Sequence, residues 1–118
     1  MVDLNETRDS MELKEMIEFN AGKRVRKKVF HSQMINSEIA CYEPSQGTVL
    51  HVHPKQDEIF YVIEGKGALT FEDSEFPLQE RSTVFVPAGT KHGVRTYDDC
   101  RLVLMFTKGP GVPPRGRA

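Results

Sequence analysis

The sequence predicts an all-β fold, a sandwich or barrel, and three observations carry that prediction. From residue 22 onward the chain consists of short runs rich in Val, Ile, Phe and Thr, broken by Gly, Pro, Ser and Asp at intervals of roughly ten residues. No long helical pattern interrupts these runs, which argues against βαβ units and a parallel sheet. With 118 residues, 38% of them hydrophobic, the chain has the material for one domain with one modest core.

Residues 9–19 place Leu13, Met16 and Ile17 at helical spacing behind a candidate N-cap, Ser10, so a helix of one or two turns, or a frayed lead-in, is expected there. Strands are expected over residues 24–30, 37–42, 49–53, 58–64, 67–71, 75–78, 83–86, 91–96 and 101–107. The turns between them have suitable chemistry: Pro44 to Gly47, Glu64 to Gly67, Asp73-Ser74, Pro87 to Gly89 and Asp98-Asp99 offer fixed φ, positive φ or Asx hydrogen bonds. The first strand begins in a run with five basic residues in the six from Lys23 to Lys28. No aromatic residue interleaves that run, so it reads as a solvated edge strand, where charge discourages edge-to-edge pairing, and not as a nucleic-acid patch. The whole of residues 1–118 is expected to form one domain, with a barrel over about 24–107 and a Gly- and Pro-rich tail, 109–118, mobile or draped on the surface.

Sixteen Lys and Arg against seventeen Asp and Glu give a net charge of −1, so no global field favours nucleic acid or a membrane surface. The longest apolar run, Leu102 to Phe106, is far short of the roughly 20 residues of a membrane span. Residues 1–10 hold three acids and no apolar stretch, unlike a secretory signal or a transit peptide, so a cytoplasmic location is expected. In a reducing compartment Cys41 and Cys100 are expected to be free thiols.

The residues that carry chemistry are histidines. In His51-Val52-His53 an alternating chain sends both imidazoles to one face, where they can grip a single metal. A turn at residues 54–57 brings Glu58 back beside them, and His92, beyond the turn at Pro87 to Gly89, can supply a third imidazole. Three neutral nitrogens and one carboxylate suit a divalent first-row transition metal, Fe, Mn, Ni, Cu or Zn, better than Mg or Ca. His31 lies outside these segments and is expected at an edge or on the surface.

The segment GTVLHVHPKQDEIFYVIEGKG, Gly47 to Gly67, resembles the first conserved motif of the cupin superfamily: His-x-His, a gap of four, Glu58, a gap of six, Gly65. Pro87-Ala88-Gly89-Thr90-Lys91-His92 is similar to the second, Pro-x-Gly-x-x-His. Three positions depart from the family pattern. Ser45 and Arg81 stand where the family usually has Gly, and Thr96 where it has Asn. Gly47 is expected to do the turn's work in place of Ser45, and Thr96 to donate a hydrogen bond in place of the Asn. The resemblance implies a double-stranded β-helix, a small jelly roll of two antiparallel sheets, with His51, His53, Glu58 and His92 as metal ligands.

Parity then sends Phe60 and Val62 inward with Glu58, and Ile59, Tyr61 and Ile63 outward. That outward apolar row, beside the apolar run 102–106, predicts a homodimer that buries one sheet face. Four protein ligands on an octahedral ion leave two adjacent positions for water, dioxygen or a bidentate substrate. The resemblance therefore implies a small metal-dependent enzyme acting on a small molecule, dioxygenase-like first and isomerase, lyase or cyclase close behind. Glu58 would double as a catalytic proton acceptor. Tyr42, Gln56, Tyr61 and Arg95 are candidates for further roles by position alone. A non-catalytic small-molecule binding or sensory module is the alternative, and a storage role, which resembles duplicated exported barrels, ranks last.

Overall fold

Along β3 (Asp57–Gly65) burial alternates residue by residue: Glu58, Phe60 and Val62 are buried, whereas Asp57, Ile59 and Tyr61 are exposed. This is the period-2 geometry of a strand with one face on a core. The structure, a computed structural model, describes residues 10–111. The remaining strands among them are β1 (Val25–His31), β2 (Asn36–Tyr42), β4 (Gly67–Thr70), β5 (Glu75–Leu78), β6 (Thr83–Val86), β7 (Gly93–Thr96) and β8 (Leu102–Gly109). They form a five-stranded sheet in the order β1-β2-β8-β3-β6 and a three-stranded sheet in the order β5-β4-β7. Every pairing is antiparallel.

Two faces of the larger sheet are buried by different partners. Phe60, Val62, Leu104 and Phe106 point toward the smaller sheet and meet Leu69, Leu78 and Val94 in the main core. On the opposite face Val29, Ile39, Cys41 and Val103 form a second cluster, covered by Met11, Leu13, Met16, Ile17 and Phe19 of the N-terminal segment. The unbroken apolar run in β8 is thereby explained within one chain, because Leu102, Leu104 and Phe106 serve one cluster and Val103 the other. The part of the outer face that this segment leaves open carries Ile59, Tyr61 and Phe85, all exposed.

The N-terminal segment corrects one expectation. In place of a helix it has a single 3-10 turn, Leu13–Met16, and Ser10 does not cap it. Its apolar residues spread along the sheet instead of lining one helical stripe, and one turn gains little from hydrogen bonds alone. A second correction concerns residues 49–53, which form no ladder. His51 makes an isolated antiparallel bridge with His92, and Gly47 one with Arg95. Val49, Leu50 and Val52 are exposed, so no outer layer holds the segment flat, and Pro54 has no N–H to extend the pairing.

β1 is an edge strand, as its charge suggested, and His31 lies exposed at its end with Nδ1 3.2 Å from Asn36 Oδ1. Cys41 is buried and Cys100 partly buried, both as free thiols. β8 runs two residues past its expected end, and Gly111 N–H donates to the Gln33 carbonyl. Residues 1–9 and 112–118, which include most of the expected tail, lie outside the described residues. No helix among the described residues is long and apolar enough to cross a membrane.

Candidate metal centre

Two backbone hydrogen bonds, each 2.9 Å, join His51 and His92 in both directions, His51 N–H to His92 carbonyl and the reverse. Residues paired this way present their side chains on one face. Their rings sit 4.6 Å apart, and His53, two residues on from His51, adds a third ring 5.0 Å from His51 and 5.5 Å from His92. One ring nitrogen from each of the three lies within 4.8 Å of the others. The 54–57 turn then returns the chain as β3, whose first inward residue is Glu58. Its Oε1 stands 2.9 Å from His92 Nε2 and 3.6 Å from His53 Nε2. The turn before His92 is anchored to the same region: Ala88 N–H donates to Asp57 Oδ1 and Gly89 N–H to the His53 carbonyl.

Hydrogen bonds set the protons on two rings. His51 Nδ1 lies 3.0 Å from the Val49 carbonyl and His92 Nδ1 2.8 Å from the Thr90 carbonyl. A carbonyl can only accept, so both Nδ1 atoms carry the hydrogen and each neutral ring keeps its lone pair on Nε2. At His92 that lone pair would face a carboxylate oxygen across 2.9 Å, in a place where the two side chains are 1% and 3% exposed. Two acceptors at that separation require a cation or a proton between them. Burial works against a charged His92, but the bonds to Glu58 and to the Thr90 carbonyl and the Glu58 charge outweigh it and raise its pKa above the usual value. Burial acts the same way on His53 and prevails over the pull of Glu58, so His53 lies below the usual value and is neutral at pH 7. This donor set fits a divalent first-row transition ion: imidazole nitrogen lone pairs, one carboxylate and a carbonyl brace behind two of the rings.

His51, His53 and Glu58 open onto a cavity of about 470 Å³ between the sheets, within the usual range for small-ligand pockets, and His92 lies buried behind them. Phe60, Phe106, Val49 and Val94 give it apolar walls. Tyr42 also lines it, and burial pushes its phenol up to about 12, so it holds its proton at neutral pH and can donate a hydrogen bond. The other positional candidates stand elsewhere. Gln56 donates to the Pro110 carbonyl, Tyr61 is on the outer sheet face, and Arg95 forms a two-pronged bond with Glu75. Sequence reading missed Arg24, Arg26 and Lys108, which line the cavity. Parity along β8, counted from Leu102 through Leu104 and Phe106, puts Lys108 on the inner face, and an expected end at residue 107 hid it.

At the departures from the motif, Ser45 and Arg81 adopt φ of 72° and 73°, the left-handed backbone a glycine would take. Gly47 therefore does not replace the turn residue. Its role is steric, since a Cβ there would run into the Val94 carbonyl oxygen. Thr96 Oγ1 donates to the Gln46 carbonyl and ties β7 to the segment leading into the histidines.

The sequence model of the cupin domain matches residues 38–107, more than half of the chain and all of the candidate ligands. The chain belongs to the cupin family. Among curated proteins this cupin is 29% identical over 63 residues to an uncharacterized protein of Methanocaldococcus jannaschii, covering 53% of this chain and 50% of that one. It is 27% identical over 75 residues to the polyketide synthase CurC of Streptomyces cyaneus, covering 64% and 49%. The match thus spans about half the length of these curated relatives. Among solved structures the cupin superposes on TT1209 from Thermus thermophilus with a TM-score of 0.81 at 27% identity, over 86% of this chain and 97% of the other. An RmlC-like cupin from Desulfovibrio desulfuricans gives 0.79 at 24%, over 88% and 98%, a likeness of fold. The architecture is the double-stranded β-helix expected from the motifs.

Proposed function

We propose that this cupin is a cytoplasmic metal-dependent enzyme that holds one divalent first-row transition ion on His51, His53, Glu58 and His92 and acts on a small molecule in the adjoining cavity. Dioxygenation ranks first among its reactions, and isomerase-, lyase- or cyclase-type chemistry second. The observation that supports it most is the convergence of three histidine nitrogens, within 4.8 Å of one another, on the Glu58 carboxylate, whose Oε1 stands 2.9 Å from His92 Nε2 with a cation or a proton between them. A redox-active ion there supplies oxygen chemistry, and a redox-inert one Lewis acidity. The chain's own groups do the rest. Phe60, Val94 and Phe106 keep water from the reacting side, Tyr42 donates a hydrogen bond to a substrate oxygen while keeping its proton, and Glu58 Oε1 would accept a proton when its hold on the centre loosens.

Elemental analysis of protein purified without an affinity tag tests the reading, beside a His51→Ala, His53→Ala double variant. The expected result is about one first-row metal ion per chain, lost in the variant. Less than about a tenth of an equivalent, even after reconstitution with Fe, Mn, Ni, Cu and Zn in turn, would refute the enzyme and leave a non-catalytic small-molecule binding module. The same proposal includes a homodimer formed by the open outer face, where Ile59 pairs with Phe85 in register and the two are 50% and 60% exposed.

A further inference from the structure

The cavity wall carries charges that metal holding leaves unused. Lys108 stands in β8 directly opposite Glu58 of β3 and Asn36 of β2, so its side chain leaves the sheet on the inner face, beside the Glu58 carboxylate. It is only 9% exposed, and its ammonium lies 5.8 Å from the centre of the Phe106 ring. Lysines this buried are ordinarily paired, because an ammonium taken out of water must recover its solvation from a counter-charge. Among the described residues no carboxylate lies within 4.0 Å of it. The nearby acids are engaged: Glu38 holds Arg26 at 2.7 Å, and Glu58 holds His92 at 2.9 Å.

The rest of the lining points the same way. Arg24 adds another cation with no ion pair among the described residues, while Arg26 is neutralised by Glu38. Two unpaired cations thus face one carboxylate that two imidazoles already share. Around them the walls are apolar: Val49, Val94 and the rings of Phe60 and Phe106. A cavity with surplus positive charge beside apolar side chains is complementary to an anion carried on an apolar body.

We propose that the ligand of this cavity is a small organic carboxylate, its anionic group held by the Lys108 ammonium and its apolar body packed against Phe106, Val94 and Val49. The inference rests on the reading of this cavity as a small-molecule site and names the substrate class for it. A carboxylate is favoured over a phosphate because, of the two unpaired cations, only the Lys108 ammonium is buried and it balances one negative charge, Arg24 being half-buried, and no helix N-terminus among the described residues offers N–H groups for further oxygens.

The test compares matched acids and amides, namely benzoate with benzamide, phenylacetate with phenylacetamide and pivalate with pivalamide. Binding is measured by NMR titration of the full chain, both stripped of metal with a chelator and reloaded with zinc. At least one acid is expected to bind tenfold or more tightly than its amide, in the metal-free protein as well as the loaded one. Lys108→Met, which keeps the length and removes the charge, should bring that pair within twofold, and Lys108→Arg should retain the preference. Equal affinities within every pair, no binding by any acid, or a preference that survives Lys108→Met would overturn the proposal. The comparison in the unsubstituted protein needs no variant to fold. One equivalent of metal without acid preference refutes the carboxylate alone, and acid preference without metal refutes the metal centre alone.

Discussion

Arg81 allows the strain in the turn before β6 to be measured. Its φ of 73° lies in the left-handed region, and its side chain is exposed with no hydrogen bond or ion pair among the described residues. Its backbone N–H donates to the Val62 carbonyl at 3.0 Å, a bond that glycine would keep. An L-residue in that region costs roughly 1–2 kcal/mol, whereas glycine loses about 0.5–1 kcal/mol through its freer unfolded chain. Arg81→Gly is therefore expected to stabilise the protein by about 0.5–1 kcal/mol. Ser45 has the same backbone, with φ 72°, but its Oγ donates to Asp98 Oδ1 at 3.0 Å. Loss of that bond costs about 0.5–1 kcal/mol and offsets the gain, so Ser45→Gly is expected to be close to neutral. Arg81→Ala keeps the strained φ and should stay within about 0.5 kcal/mol of the parent. Equilibrium urea unfolding of metal-free protein is the assay, followed by circular dichroism because the chain has no Trp. At a slope of about 1–2 kcal/mol per molar, the Arg81→Gly midpoint should rise by roughly 0.5 M. An unchanged or lower midpoint, or an equal gain in Arg81→Ala, would show that backbone strain is not the source.

Further outcomes follow from burial and close approach. Gly65 has φ +86°, and a Cβ there would meet the Arg101 carbonyl oxygen, so Gly65→Ala should lower stability by at least about 2 kcal/mol, read in a thermal melt. Cys41 is buried, and burial raises its thiol pKa, so iodoacetamide at pH 8 should modify Cys100 alone in the native protein, with a second adduct only in denaturant. The unsubstituted chain should elute at about 27 kDa by light scattering, twice its 13.4 kDa, and Phe85→Glu at the monomer mass; a monomer from the outset would remove the dimer from the proposal.

The histidine constellation was legible because its spacing is local. His51 and His53 share a face through two-residue periodicity, and Glu58 and His92 each follow a turn whose Pro and Gly are visible in the sequence. The β3 parity was legible for the same reason, and burial follows it from Asp57 to Val62. The N-terminal segment was not. Its helical spacing is real, but the exposed side of Ile39, Cys41 and Val103 needed a cover, and an extended strap covers more sheet than a short helix. Residues 49–53 misled because β-branched composition scores a strand even where no neighbour completes the ladder.

By itself, then, the sequence determined the all-β class, the residues of the two histidine motifs and the side of β3 that faces inward, all properties fixed by neighbours a few residues apart. Only the tertiary structure decided that Lys108 lies buried beside Glu58, that the basic run at β1 sends Arg24 and Arg26 to the cavity, and that Ser45 and Arg81 bear left-handed backbone. Those facts depend on pairings between residues as far apart as 58 and 108, and a lysine's meaning changes with whether such a pairing removes it from water.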